Sequence, residues 1–264
     1  MARFCPLFSS SSGNCIYIGS SDGGILIDAG VSAKRIKTAL NDLDIDVSKI
    51  AAIFITHEHS DHVSGLKVFA GNNNIDVYAS EGTLQALEYN DVLTEKYTAR
   101  PIPYEGLEIA GMHIRPFGIS HDVKEGVGYS VVTSDGRRAS VVTDTGVVTP
   151  EIMSAVQGSD LIMIESNHDI RMLENGPYPY YLKRRILSSR GHLSNDACAQ
   201  ASLELLKSGT TRFMLGHLSK ENNFPLLAKQ TTESEFAVNG AVEGRDYLLQ
   251  VVGGVDYIPE VTLF

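Results

Sequence analysis

At 264 residues, 43% hydrophobic and 20% charged, the chain has the make-up of an ordinary globular protein with enough apolar sequence for a substantial core. A formal charge of -10 argues against binding nucleic acid over the whole surface, although it leaves room for a local site. No segment approaches the ~18 apolar residues that span a bilayer, and Cys5, Cys15 and Cys198 are scattered without C-x-x-C spacing; a membrane protein, a disulfide framework and a thiolate metal site are set aside, and the cytoplasm is the expected compartment.

In chain order, five apolar, β-branched runs read as strands, and each stops at a polar residue. Gly24–Ile27 leads to Asp28, residues 50–56 to His57, residues 114–119 to His121, residues 139–143 to Asp144, and Arg212–Gly216 to His217. A sheet delivers side chains to one edge in this way. Helices fall between them. Ser32 caps one with Ile36, Ala39, Leu40 and Leu43 on a single face, and residues 81–90 and 180–189 suggest two more. Ser194 opens a fourth, carrying Ala197, Ala201 and Leu205 and stopping at Gly209, while Pro225 enters the first turn of a fifth that ends near Gly240. Residues 246–252 read as a closing strand. With no repeat, low-complexity tract or linker, residues 1–264 are expected to form one α/β domain of layered sheets and helices.

The densest chemistry is the string T-H-E-H-S-D-H, with His57, His59, Asp61 and His62 inside six residues. On an extended segment His57 and His59 would face one point, with Asp61 and His62 serving a second beside it. Imidazole nitrogen and carboxylate oxygen suit Zn, Mn or Fe, and an incomplete protein shell leaves positions for water and substrate.

This string, followed by isolated His, Asp and His at strand ends, resembles the metallo-β-lactamase superfamily along nearly the whole chain. That resemblance implies a four-layer αβ/βα sandwich with two divalent metal ions at one edge. It assigns His57, His59 and His121 to the first ion, Asp61, His62 and His217 to the second, and Asp144 to both, with Asp28 orienting ligands from behind. His59, not Glu58, holds the ligand place, which separates the site from the oxygen-reducing relatives that carry a carboxylate there and points to hydrolysis. His113 is read as structural.

A closer resemblance is to the WalJ/YycJ branch, through Ser11-Ser12-Gly13-Asn14-Cys15, Glu165-Ser166-Asn167-His168-Asp169, Gly191-His192-Leu193-Ser194 and Gly216-His217-Leu218-Ser219-Lys220-Glu221-Asn222-Asn223. It implies 5′-to-3′ exonuclease action on DNA, with manganese a suitable metal. The order Glu165, His192, His217 also resembles nucleases with a β-CASP insertion, but the large insertion is missing here, which argues against RNA processing. Asp61 joins Glu165 and His192 as the implied catalytic set, Glu165 orienting His192 as general acid. His168 is a candidate behind the ligands, and Ser11, Ser12, Asn14, Ser219, Asn222 and Asn223 are candidates for holding a substrate phosphate. The nucleophile implied is a metal-bridging hydroxide. The same ligands would also serve a hydrolase of a cyclic phosphodiester, thioester or lactam, or a regulatory binding protein that has lost turnover, because the fold alone does not fix the substrate.

Overall fold

The apolar runs become strands and the capped segments become helices in a computed structural model that describes residues 2–253 and 257–264. The chain divides into two compact units: the first comprises Met1–Pro116, Val123–Arg137 and Ile258–Phe264, the second Phe117–Asp122 and Arg138–Tyr257. Among the described residues no helix is long and apolar enough to cross a membrane.

The first unit begins with β1 (Arg3–Phe8), β2 (Cys15–Gly19) and β3 (Gly24–Ile27), followed by α1 (Ala33–Asp42) and β4 (Ile50–Phe54). Next come α2 (Ser60–Val63), α3 (Leu66–Asn73), β5 (Asp76–Ala79), α4 (Glu81–Tyr89) and β6 (Ala99–Pro101). Strands β1 to β6 lie in one sheet in sequence order, antiparallel from β1 to β3 and parallel from β3 to β6. α1 lays Ile36 and Leu40 against this sheet, in a core that includes Leu26, Ile53, Leu66 and Val77. Ser32 and Ser80 cap α1 and α4 by accepting from the backbone amides of Arg35 and Thr83. Strands β7 (Leu107–Ile109) and β8 (Met112–Gly118) then pair as an antiparallel hairpin, and β9 (Val127–Thr133) follows.

The second unit runs through β10 (Arg138–Val142), α5 (Pro150–Val156), β11 (Leu161–Glu165), α6 (Ile170–Asn175), α7 (Tyr180–Ile186), α8 (Asn195–Lys207), β12 (Arg212–Gly216), α9 (Pro225–Val238) and β13 (Leu248–Val251). Strands β10 to β13 are parallel, again in sequence order. Parallel strands buried on both faces read as continuous apolar runs, and β11, Leu-Ile-Met-Ile-Glu, is buried throughout. α9 closes one face through Phe236, whose ring packs 5.3 Å from Phe213 and 4.6 Å from Tyr247. The last strand, β14 (Thr262–Leu263), returns to pair with β1 in the first unit.

Four helices were not legible as such in the sequence: α2, α3, α5 and α6. α2 is a single turn, and it takes Asp61 and His62 out of the extended geometry expected of the histidine string. α7 also ends at Ile186, short of the expected residue 189, and none of its residues is buried.

Candidate functional site

In the first unit, parallel register brings the ends of β3 and β4 level, with Ile27 opposite Phe54. The amide of Asp28 donates to the Phe54 carbonyl at 2.8 Å, so the two strand exits lie side by side. Asp28 then adopts a left-handed backbone, φ 63°. Non-glycine residues occupy that region at some cost, and they gather where a side chain must be aimed. Here the buried Asp28 carboxylate accepts from the Thr56 amide (2.8 Å), the Thr56 hydroxyl (2.9 Å) and His62 Nδ1 (2.7 Å). Burial pushes the Asp28 carboxyl up, against the His62 charge and these hydrogen bonds, which favour the anion.

His59 occupies the N-cap position of α2 without a capping bond from its side chain, and Asp61 and His62 ride on the single turn. The His57 ring lies 4.7 Å from that of His59 and 4.0 Å from that of His62, while His62 Nε2 is 3.4 Å from Asp61 Oδ2. With Nδ1 of His62 held by Asp28 and Nδ1 of His57 within 3.0 Å of the Thr56 hydroxyl, the nitrogen each ring can offer a metal is Nε2. Asn14 Nδ2 lies 3.0 Å from His62 Nε2, the nitrogen that the Asp28 contact at Nδ1 leaves without a proton. The donor set therefore fits a divalent ion.

Asn14 also ties the turn down. Its amide donates to the Asp61 carbonyl at 2.8 Å, and its own carbonyl accepts from Gly30 at 2.7 Å. A Cβ on Gly30 would sit 1.6 Å from the Asp61 carbonyl oxygen, so only glycine allows this approach. Asn14, a phosphate candidate from the sequence, is thus buried and engaged with Asp61 and His62, whereas Ser11 and Ser12 stand exposed beside it.

In the second unit, β10, β11 and β12 are likewise in step, Val142 opposite Ile164 and Glu165 opposite Gly216. Their carboxyl ends deliver Asp144, Glu165 and His217, which is where open parallel sheets place functional groups. Asp144 (φ 56°) and His217 (φ 55°) repeat the left-handed turn seen at Asp28. Asp144, Glu165, His192 and His217 each offer an atom within 4.8 Å of the others. Asp144 Oδ1 lies 3.5 Å from His217 Nδ1 and 3.9 Å from His121 Nε2.

Glu165 is fully buried and accepts four hydrogen bonds. Oε1 takes His192 Nδ1 (2.8 Å) and His217 Nδ1 (2.7 Å); Oε2 takes the backbone amides of Thr145 (2.9 Å) and Leu193 (3.1 Å). Burial alone would raise its pKa, but the His192 charge and the hydrogen bonds from His192 and His217 outweigh it and hold the carboxyl at about 2. His192 responds in the opposite sense: burial acts against its charge, and Glu165 overcomes this and raises its pKa. With its oxygens committed, Glu165 orients histidines instead of offering itself as a ligand. His121 is set by its own contact, Nδ1 to the Gly191 carbonyl at 2.9 Å, and burial pushes its pKa down. As in the first unit, the Nδ1 contact turns Nε2 towards carboxylates, here Asp122 (3.4 Å) and Asp144 (3.9 Å), and makes it the nitrogen that could bind a metal.

His168 is buried without a hydrogen bond from either ring nitrogen to a described residue, and burial lowers its pKa to about 4, which keeps it neutral. Its carbonyl accepts from Asn195, so its backbone belongs to the brace behind the cluster. The same brace takes up the closing motif. Asn223 Nδ2 donates to the carbonyls of Ser166 (2.8 Å) and Asn167 (3.1 Å), Asn222 accepts from the Asp169 amide, and Ser219 donates its amide to Asn167. Asn222 and Asn223 are buried. Three contributors escape sequence reading: the Thr56 hydroxyl, the Gly191 carbonyl and the Thr145 amide. Nothing in their residue types distinguishes them, because two of the three act through the backbone.

The model of the β-lactamase superfamily domain matches residues 24–218. A protein named exodeoxyribonuclease WalJ from Streptococcus pneumoniae strain D39 is 37% identical over 248 residues, which is 93% of this chain and 92% of that one. Exodeoxyribonuclease YycJ from Bacillus anthracis is 34% identical over 251 residues, covering 92% and 94%. Among solved structures, the metallo-β-lactamase fold protein YhfI from Bacillus subtilis aligns over 99% of both chains with a TM-score of 0.73 at 12% identity, a likeness in fold.

Proposed function

This chain belongs to the metallo-β-lactamase superfamily, with the αβ/βα sandwich of that fold and no β-CASP insertion, in the branch of the WalJ and YycJ exodeoxyribonucleases, and we propose that it is a two-metal phosphodiesterase that removes nucleotides from the 5′ end of DNA in the cytoplasm. It is a metal-dependent hydrolase. In the proposed ligand set, His57, His59 and His121 serve one ion, Asp61, His62 and His217 the other, and Asp144 both, with Zn or Mn the ions that suit these donors and Fe also compatible. Two such ions, when bound, supply a water whose pKa falls from 15.7 to about 7 and neutralise charge on the phosphoryl oxygen.

The observation that carries the reading is the Glu165 contact to His192. A buried carboxylate on Nδ1, 2.8 Å away, orients the ring and favours its protonated form, leaving Nε2–H to be given to the leaving oxygen as the phosphodiester breaks. Asp28, through His62, and Glu165, through His217, hold two proposed ligands in one tautomer. Exposed Ser11 and Ser12 are proposed to meet the substrate phosphate.

The test is hydrolysis by manganese-loaded and zinc-loaded protein of end-labelled single- and double-stranded DNA, of RNA, and of bis-nitrophenyl phosphate. Mononucleotide release that depends on the 5′ end of DNA is expected. Cleavage of the small ester with all polynucleotides untouched would overturn the nuclease reading, and preference for RNA would overturn the choice of DNA.

A further inference from the structure

A helix in a globular protein ordinarily buries one face. α7 buries none of its residues, yet it carries two tyrosines, Tyr180 and Tyr181, each 75% exposed. Its remaining length supplies Lys183, Arg184 and Arg185 with no acid, and residues 171–190 hold five cations against one acid, Glu174, in a chain of formal charge -10. Aromatic rings and positive charge are therefore concentrated on a helix with no fully buried residue.

The helix is nevertheless fastened, and at the end nearer the catalytic candidates. Arg185 grips Asp122 with two hydrogen bonds (2.5 and 3.0 Å), Ser120 Oγ donates to the Ser189 carbonyl (2.8 Å), and Arg190 donates to the His121 carbonyl (3.1 Å from Nη2). The His192 amide then closes back onto the Ile186 carbonyl at 3.0 Å. Among the described residues Arg184 and Lys183 form no ion pair with a carboxylate: the Arg184 guanidinium lies 6.0 Å from the Tyr180 ring centroid, and Lys183 Nζ caps the Glu174 backbone carbonyl at 2.8 Å. Two exposed rings thus sit beside two cations on a short helix whose C-terminal end leads directly into His192.

We propose that α7 is a platform for single-stranded DNA, with Tyr180 and Tyr181 stacking on unpaired bases and Lys183 and Arg184 taking phosphates, so that the strand is presented towards His192. The proposal rests on the nuclease reading above and names where that substrate lies. Charge complementarity selects a polyanion, and the exposed rings select one whose bases are free to stack, which a duplex interior does not offer. Neither feature requires a particular base sequence.

The experiment uses the manganese-loaded full chain and a fluorescent phosphorothioate oligothymidylate, with binding followed by anisotropy across a salt series. Tyr180→Ala with Tyr181→Ala is expected to weaken binding about 10- to 100-fold, with Tyr180→Trp and Tyr181→Trp restoring it. Arg184→Gln is expected to reduce the slope of log K against log salt by about 0.7, one phosphate contact on a single strand. The ratio of DNA to bis-nitrophenyl phosphate hydrolysis should fall at least tenfold in the double alanine variant. An affinity within twofold of wild type in that variant, while wild type still digests DNA, overturns the platform and leaves the nuclease reading standing. Binding that depends on α7 without any cleavage of DNA supports the platform and overturns the nuclease reading. Loss of binding to phosphatidylglycerol vesicles in the variants, with oligonucleotide affinity intact, would assign α7 to an anionic membrane surface and overturn the proposal.

Discussion

Asp28 in the first unit and Glu165 in the second do the same job by different means. Asp28 stands behind a contiguous string: His57, His59, Asp61 and His62 are already neighbours in sequence, and the carboxylate needs to fix only Thr56 and the His62 ring. Glu165 gathers groups that sequence keeps apart. Its four hydrogen bonds join the loop after β10, the segment carrying His192 and the end of β12. Side chains held by chain connectivity should survive the loss of a backing carboxylate better than side chains held by the carboxylate itself.

The largest expected effect therefore falls on Glu165. Replacing it by Ala leaves two buried histidine nitrogens and two amides without their acceptor, and should cost about 3–5 kcal/mol in urea unfolding of the metal-free protein. Nuclease activity should fall with it. Asp28→Ala should cost less, about 1–3 kcal/mol, and show itself chiefly as a 10- to 100-fold weaker metal affinity, measured by competition with a chelating dye. Equal losses of stability for the two variants would break the contrast between a connected and a gathered cluster.

That contrast also explains what the sequence made legible. The strand ends at Asp28, His57, Asp144 and His217 could be read because a β-branched run that stops at a polar residue is a local signal, and the histidine string is local too. Ser32 and Ser194 announced their helices through the same short-range chemistry. The family resemblance supplied His121, which no local feature would have separated from an ordinary strand-end histidine. What escaped was non-local or too short: the one-turn α2 that redirects Asp61 and His62, the four-way role of Glu165, and the commitment of Asn14 and Asn223 to backbone partners. Asparagine beside a metal motif suits phosphate and loop bracing equally well by residue type, and only its neighbours in space decide.

A middle-sized effect is expected where the string meets its support from the far side. Gly30→Ala would place a methyl carbon against the Asp61 carbonyl, and the turn must move to admit it. About 1–3 kcal/mol of stability should be lost, with weaker binding of a metal that uses Asp61 or His62 and little change in a variant's affinity at His121. If Gly30→Ala melts at the wild-type temperature, the close approach of residues 30 and 61 is not what positions the string.

The smallest effect sharpens the comparison most, because it acts inside the contiguous cluster without touching a carboxylate. The Thr56 hydroxyl lies within reach of Asp28, His57 Nδ1 (3.0 Å) and His62 Nδ1 (3.2 Å), but it has one proton to give. Thr56→Val keeps the shape and the backbone donation to Asp28 and removes the bond the hydroxyl donates to the Asp28 carboxylate and the one it accepts from His57 Nδ1. His62 retains Asp28 as its partner, so the expected cost is about 0.5–1.5 kcal/mol. His57 loses its Nδ1 contact, so the release should appear as a changed tautomer balance for His57 in ring nitrogen NMR while His62 keeps its Nδ1–H form. A change at His62 as large as that at His57 would mean that Thr56, and not Asp28, holds the string in place.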